Sequence, residues 1–157
     1  MPEGRVGAFG PETGRTRGIE GLAMYRVTRE ISFCYDHRLL NYEGKCRHLH
    51  GHNGRAVITL EAPSLDRAGM LVDFSEIKQH VQRWIDENLD HNLLLCKDDP
   101  LLPALIERGE RVFVMEQNPT AENIARLIFD HAAAAGLPIF EVLLWETDNC
   151  HASYRAG

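Results

Sequence analysis

The sequence predicts an α+β fold, an antiparallel sheet with two helices packed on one face. Three observations predict it: two stretches of period-two alternation early in the chain, two amphipathic stretches that begin with helix caps, and a closing pair of runs rich in branched and aromatic residues. The order is strand, strand, helix, helix, strand, strand, and short connections between paired strands favour antiparallel pairing without a parallel crossover. At 157 residues, 44% hydrophobic and 25% charged, the chain can bury a core without disulfides or a structural metal.

Residues 1–23 carry Gly4, Gly7, Gly10, Gly14, Gly18 and Gly21 among charges. That composition buries little apolar surface, so these residues are expected to form a flexible tail and residues 24–157 the folded domain. From Tyr25, the residues Tyr25, Val27, Ile31, Phe33 and Tyr35 alternate with Arg26, Thr28, Glu30 and Ser32, a half-buried strand whose apolar phase His37 continues. Asn41 to Lys45 reads as a loop. Ala56, Ile58, Leu60 and Ala62 then define a second strand closed by Pro63, and His50 and His52 share its phase. Asp73 to Glu76 is an acidic variant of the capping box, opening a helix from about Ser75 to Asn88 with Ile77, Val81, Trp84 and Ile85 at helical spacing. Thr120 caps a second helix with a stripe of Ile124, Leu127, Ile128 and Ala132, which Gly136 and Pro138 end. Between them, Val112 to Met115 has strand character, but Pro100, Pro103 and Gly109 interrupt the pattern. Ile139 to Thr147 and His151 to Arg155 form the closing hairpin.

Composition narrows the function. No window has the length of a membrane span, and the start lacks the basic-then-apolar pattern of a secretory signal, so a cytoplasmic protein without a membrane partner is expected. The net charge of −6 argues against nucleic acid as a partner but leaves room for a small anionic substrate. Cys34, Cys46, Cys96 and Cys150 include no CxxC pair, which predicts neither a disulfide framework nor a four-thiolate site.

The chemistry concentrates in Cys46-Arg47-His48-Leu49-His50-Gly51-His52. Histidines two apart on a strand project to one side, and His37 supplies a third imidazole from the preceding strand end. Three neutral nitrogens leave a fourth tetrahedral position open, the pattern of a catalytic zinc site, with Cys46 beside it as a reactive thiol. The alternative, in which Cys46 is itself a ligand and one histidine is spare, stays open at this level. Asp90-His91 ends the first helix as a carboxylate able to orient an imidazole for proton transfer. Glu146 shares the strand phase of Phe140, Val142 and Leu144, so its carboxylate needs a partner: either a nitrogen heterocycle with adjacent N–H donors or an arginine.

These motifs resemble the 6-pyruvoyltetrahydropterin synthase family, and within it the bacterial 6-carboxytetrahydropterin synthase branch of queuosine biosynthesis. The match runs from about Met24 to Arg155 through Phe33 to Leu39, Cys46 with His50-Gly51-His52, Leu71 to Phe74, Leu89-Asp90-His91, Asn118 to Asn123 and Trp145-Glu146-Thr147. The resemblance implies Zn2+ on His37, His50 and His52, Cys46 as the proton-abstracting base, Asp90 and His91 as a proton relay, Glu146 as the pterin anchor and Thr120 as a second anchor. It also implies the tunnelling fold, with a barrel completed by oligomerisation into a homohexamer built from two trimers and sites between subunits. The substrate it implies is 7,8-dihydroneopterin triphosphate, converted to a 6-carboxy product; the separation of Cys46 from His50 matches that branch better than the pyruvoyl-forming one. Other readings compete: within the fold, the pyruvoyl-forming reaction or the cleavage of dihydroneopterin; outside it, a non-catalytic zinc- and pterin-binding role. The extension before Met24 and the long segment from Cys96 to Gln117 depart from the family pattern.

Overall fold

A computed structural model describes residues 23–157; the expected tail, apart from Ala23, lies outside the described residues. Strands β1 (Tyr25–His37) and β2 (His50–Ala62) pair antiparallel along their full lengths of 13 residues. The register sets Ile31 opposite Ala56, Phe33 opposite Gly54, Tyr35 opposite His52 and His37 opposite His50. Odd positions of β1 and even positions of β2 therefore share one face, as the alternation predicts. That face is buried under the helices. It carries Ile31, Phe33, Tyr35, Ala56, Ile58 and Leu60, all inside the core.

The first helical segment runs as predicted, with a local change of pitch. Helix α1 (Phe74–Ile77) passes into a π-helical turn (Lys78–Gln82) and then α2 (Arg83–Asn88). The Asp73 carboxylate accepts the Ser75 N–H at 2.8 Å, which satisfies one donor of the exposed first turn. Ile77, Val81 and Ile85 are fully buried. Helix α4 (Ala121–Ala134) is capped by Thr120, whose hydroxyl oxygen accepts the Asn123 N–H at 3.3 Å. Its buried stripe is Ile124, Ala125, Ile128, Phe129 and Ala132, with Leu127 half-buried at the margin. Gly136 follows with φ +83°, the left-handed conformation that glycine adopts most easily past a helix end. Strands β5 (Ile139–Thr147) and β6 (Cys150–Tyr154) form the closing hairpin, and β5 pairs antiparallel with β2.

The sheet departs from the purely antiparallel expectation. With β3 (Asn92–Cys96) and β4 (Val112–Met115) it has six strands in the order β4-β3-β1-β2-β5-β6, curled into a half-barrel. Strand β3 lies parallel to β1, and β4 lies parallel to β3 across a crossover that contains α3 (Leu102–Glu107). The cause is visible in β3. After the buried Asn92, Leu93-Leu94-Leu95-Cys96 is a continuous apolar run with no alternation, because a strand between two parallel neighbours is covered on both faces. Such a run placed directly after a helix gives no period to separate it from the helix's end.

The interrupted segment between the helices is thus ordered as β3, α3 and β4. It is tied to the end of β1 by Asp99, whose buried carboxylate receives two hydrogen bonds from Arg38, at 2.7 and 2.6 Å. Burial pushes this carboxyl up, but Arg38 and the Leu101 N–H outweigh it and leave Asp99 below the usual carboxylate range. Arg38 follows His37 directly, so this pair fixes the exit of the chain from the strand that carries the first histidine. No described helix is long and apolar enough to cross a membrane.

Candidate metal centre and adjoining cavity

The β1–β2 register brings the three histidines together. His37 and His50 are directly paired, His52 is paired with Tyr35, and all three project to the helix-covered face. Their ring centroids lie 4.5 to 5.0 Å apart. One ligating atom from each falls within 4.8 Å of the other two. His37 is 3% exposed, whereas His50 and His52 are half-buried.

Hydrogen bonds fix which nitrogen each of two rings offers. His37 Nδ1 lies 2.7 Å from the Pro119 carbonyl and His50 Nδ1 lies 2.8 Å from the His48 carbonyl. A carbonyl only accepts, so both Nδ1 atoms carry the proton and both Nε2 atoms present a lone pair. Those two Nε2 atoms face each other at 3.0 Å. Two neutral rings arranged this way have no proton to share and repel. A cation between them resolves the conflict, since two Zn–N bonds of about 2.0 Å at a tetrahedral angle place their nitrogens about 3.3 Å apart. Burial holds His37 below its ordinary range, with the neighbouring His50 and His52 rings acting the same way against the Pro119 carbonyl and the Glu146 carboxylate. The neutral ring is the form that ligates.

Pro119 is held by the loop that introduces α4. Asn118 Oδ1 accepts the Leu40 N–H at 2.7 Å, Asn118 Nδ2 donates to the Leu40 carbonyl at 2.8 Å, and Asn123 Nδ2 donates to the Asn118 carbonyl at 2.9 Å. The sequence marked this run as a helix start and as part of the family resemblance, without a role for the Pro119 carbonyl. Its backbone role leaves no side-chain signal except the two asparagines.

His37 opens on a cavity of about 370 Å³ that Cys46, Thr120 and Glu146 also line. Cys46 sits on a short 3₁₀ turn (Lys45–Arg47) and is not one of the converging ligands. That placement favours the thiol as the metal's neighbour over the reading in which it replaces a histidine. Glu146 sits where the β5–β6 register shifts, between Trp145 and Thr147, and such a bulge re-aims a side chain. Among the described residues its hydrogen-bond partner is a phenol, not an arginine. The Tyr35 hydroxyl donates to Glu146 Oε1 at 2.9 Å, and His37 Nε2 lies 3.9 Å from the same oxygen. Burial, then the charge and hydrogen bond of Glu146, push the Tyr35 phenol up, so it remains a donor. Glu146 Oε2 has no hydrogen bond among the described residues and is free for a ligand. Sequence reasoning read Tyr35 as a core aromatic and missed its polar end.

Asp90 and His91 form the expected pair, His91 Nδ1 donating to Asp90 Oδ2 at 2.7 Å. Partial burial raises the Asp90 carboxyl, but the Cys34 N–H, His91 and Arg111 together bring it below the usual range. The pair does not share the Cys46 cavity. His91 is 71% exposed and lines one hollow with His50 and another with His52, neither of which contains Cys46. Leu105, Gly109 and Arg111 of the long segment line the first of these, so that segment bounds one approach to the histidines.

Residues 26–157 match the family model described as 6-pyruvoyl tetrahydropterin synthase. A protein named 6-carboxy-5,6,7,8-tetrahydropterin synthase from Rickettsia typhi is 38% identical over 138 residues, covering 81% of this chain and 97% of its own. One of the same name from Aquifex aeolicus is 32% identical over 124 residues, covering 71% and 76%. Among solved structures, an uncharacterized protein from Wolinella succinogenes superposes with a TM-score of 0.74 at 28% identity, covering 86% of this chain and 99% of that one. The 6-pyruvoyl tetrahydropterin synthase of Plasmodium vivax shares the fold, with a TM-score of 0.67 at 18% identity over 85% and 98%.

The geometry predicts that metal-free protein given one equivalent of Zn2+ retains one ion per chain on dialysis. His52→Ala should weaken binding by more than the about 10- to 100-fold lost with an outer-shell partner. Affinity should also fall on acidification, as protons compete with the metal for the imidazole nitrogens. Unchanged affinity in His52→Ala would contradict the assignment.

Proposed function

Because the chain belongs to the 6-pyruvoyl tetrahydropterin synthase family, we propose that it converts 7,8-dihydroneopterin triphosphate to 6-carboxy-5,6,7,8-tetrahydropterin. One water is consumed in cleaving the side-chain carbon–carbon bond, its oxygen going to the carboxyl group; triphosphate and acetaldehyde leave, and the product enters queuosine biosynthesis in the cytoplasm. The observation that carries this reading is the single cavity shared by a metal-facing imidazole, a thiol and a carboxylate with one free oxygen. Relatives carrying the carboxy-forming name in Rickettsia typhi, Haemophilus influenzae and Aquifex aeolicus support the choice of product.

His37, His50 and His52 would hold the metal, read here as Zn2+, which supplies Lewis-acid polarisation of the substrate's side-chain oxygens when bound. Glu146 accepts the pterin's paired N–H donors through its carboxylate, with Tyr35 fixing the orientation. The Thr120 hydroxyl, which accepts the Asn123 N–H, still has its own proton to donate across the same cavity. Cys46 removes the carbon-bound proton of the side chain. Asp90 keeps His91 Nδ1 protonated, so the opposite ring nitrogen exchanges protons with substrate.

His91 is exposed and lies outside its own chain's Cys46 cavity, which is the reason to place its action in the cavity of a neighbouring copy. The ends of the sheet favour assembly as well. Among the described residues strands β4 and β6 are the edges of the sheet, and Val114 on β4 is 45% exposed. A hexamer of two trimers would cover such edges by closing the half-barrels into barrels.

Incubation of the zinc-loaded protein with 7,8-dihydroneopterin triphosphate should give carboxytetrahydropterin and acetaldehyde by mass. A pyruvoyl product would move the chain to the other reaction, and no turnover would refute the proposal. Cys46→Ala should keep its zinc and lose about 10²- to 10⁴-fold in kcat. Mixing Cys46→Ala with His91→Ala and reassembling the oligomers should restore part of the activity; a mixture as inactive as its parts would place the relay within one chain.

A further inference from the structure

Cys34 has no place in the proposed reaction, yet it stands beside Asp90 and His91. The three offer a sulfur, a carboxylate oxygen and an imidazole nitrogen within 4.8 Å of one another. Hydrogen bonds tie the three together. The Cys34 N–H donates to Asp90 Oδ1 at 2.8 Å, and the His91 N–H donates to the Cys34 carbonyl at 2.7 Å. His91 has φ +54°, a conformation that a residue with a side chain keeps only when its surroundings over-determine it. The thiol lies on the sheet face opposite the three metal-facing histidines, because Cys34 occupies an even position of β1 and His37 an odd one. The cluster is therefore separate from that site, exposed at Cys34 and His91 and half-buried at Asp90.

We propose that Cys34, Asp90 and His91 form a second metal site, for soft and borderline divalent ions such as Zn2+ and Cd2+. Thiolate, imidazole and carboxylate are the donors zinc takes, and the thiolate biases the site away from Mg2+ and Ca2+. On binding, the thiol proton that Cys34 donates to Asn53 Oδ1 at 3.1 Å passes to solvent, and the sulfur lone pair it leaves goes to the metal. With these hydrogen bonds in place, side-chain rotation alone closes the site. Its solvent exposure makes it weaker than the buried three-imidazole site. The consequence for catalysis rests on the proposed role of His91: a metal held here withdraws that imidazole from proton transfer, so excess zinc inhibits.

Protein carrying one equivalent of Zn2+ should be titrated with Cd2+ while the ultraviolet cadmium–thiolate charge-transfer band is followed. One further ion per chain with a thiolate band is expected in the unsubstituted protein and in Cys46→Ser, and neither ion nor band in Cys34→Ser. No band in the unsubstituted protein, or a band lost in Cys46→Ser and kept in Cys34→Ser, would overturn the proposal. Cys34→Ala should repeat the Cys34→Ser result, and a circular dichroism spectrum unchanged in both separates loss of the ligand from loss of the fold. This readout does not depend on turnover, so the site stands or falls separately from the assigned reaction. Where turnover is present, excess Zn2+ should inhibit the unsubstituted enzyme and spare Cys34→Ser.

Discussion

The pairing of His37 with His50 across the ends of two long antiparallel strands is the constraint from which the site follows. A slip of one residue in that register would send one strand's histidines to the opposite face from the other's. The slip is opposed along the whole ladder. Ile31 opposite Ala56 and Phe33 opposite Gly54 belong to the same buried face, so moving the histidines would also expose the core. The core thus positions the three candidate metal ligands at no separate cost in specificity. Gly54 contributes in a particular way: a Cβ there would lie 2.8 Å from the Tyr35 ring, so glycine leaves room for the aromatic that orients Glu146.

A second layer converts three nearby rings into a directed donor set. The Pro119 and His48 carbonyls each take an Nδ1 proton and turn the opposite nitrogen inward. Pro119 is held in turn by the exchange of hydrogen bonds between Asn118 and Leu40, just past the end of β1. The chain leaving His37 is also clamped by Arg38 on buried Asp99. The strand end is therefore restrained by the α4 entry loop on one side and by the β3–α3 connection on the other, and an open metal site needs such restraint to keep its geometry.

The sequence made much of this legible where a side-chain period or a cap carried the signal. Tyr25 to His37 and His50 to Ala62 showed their strands and the phase of all three histidines, and Asp73 and Thr120 marked both helix starts. Strand β3 was hidden for a physical reason: Leu93, Leu94 and Leu95 form an unbroken apolar run that period-two reading cannot detect, whereas β4 showed strand character at Val112 to Met115 but not its parallel pairing. Carbonyl acceptors such as Pro119 were also hidden, because any residue supplies one. Glu146 was recognised as a carboxylate in need of a partner, but Tyr35, distant in sequence, became its partner only through the β1–β2–β5 packing. Asp90 and His91 were found as a pair, while their separation from the Cys46 cavity depends on the folded chain.

The central claim is that the three imidazoles and no sulfur bind the metal, leaving one position for substrate. X-ray absorption at the zinc edge, on protein loaded with a single equivalent, tests it most directly. The account predicts a first shell of imidazole nitrogens plus one oxygen at about 2.0 Å and no sulfur scatterer. A sulfur at about 2.3 Å would contradict it by making a cysteine a ligand and removing the free thiol on which the proposed reaction depends.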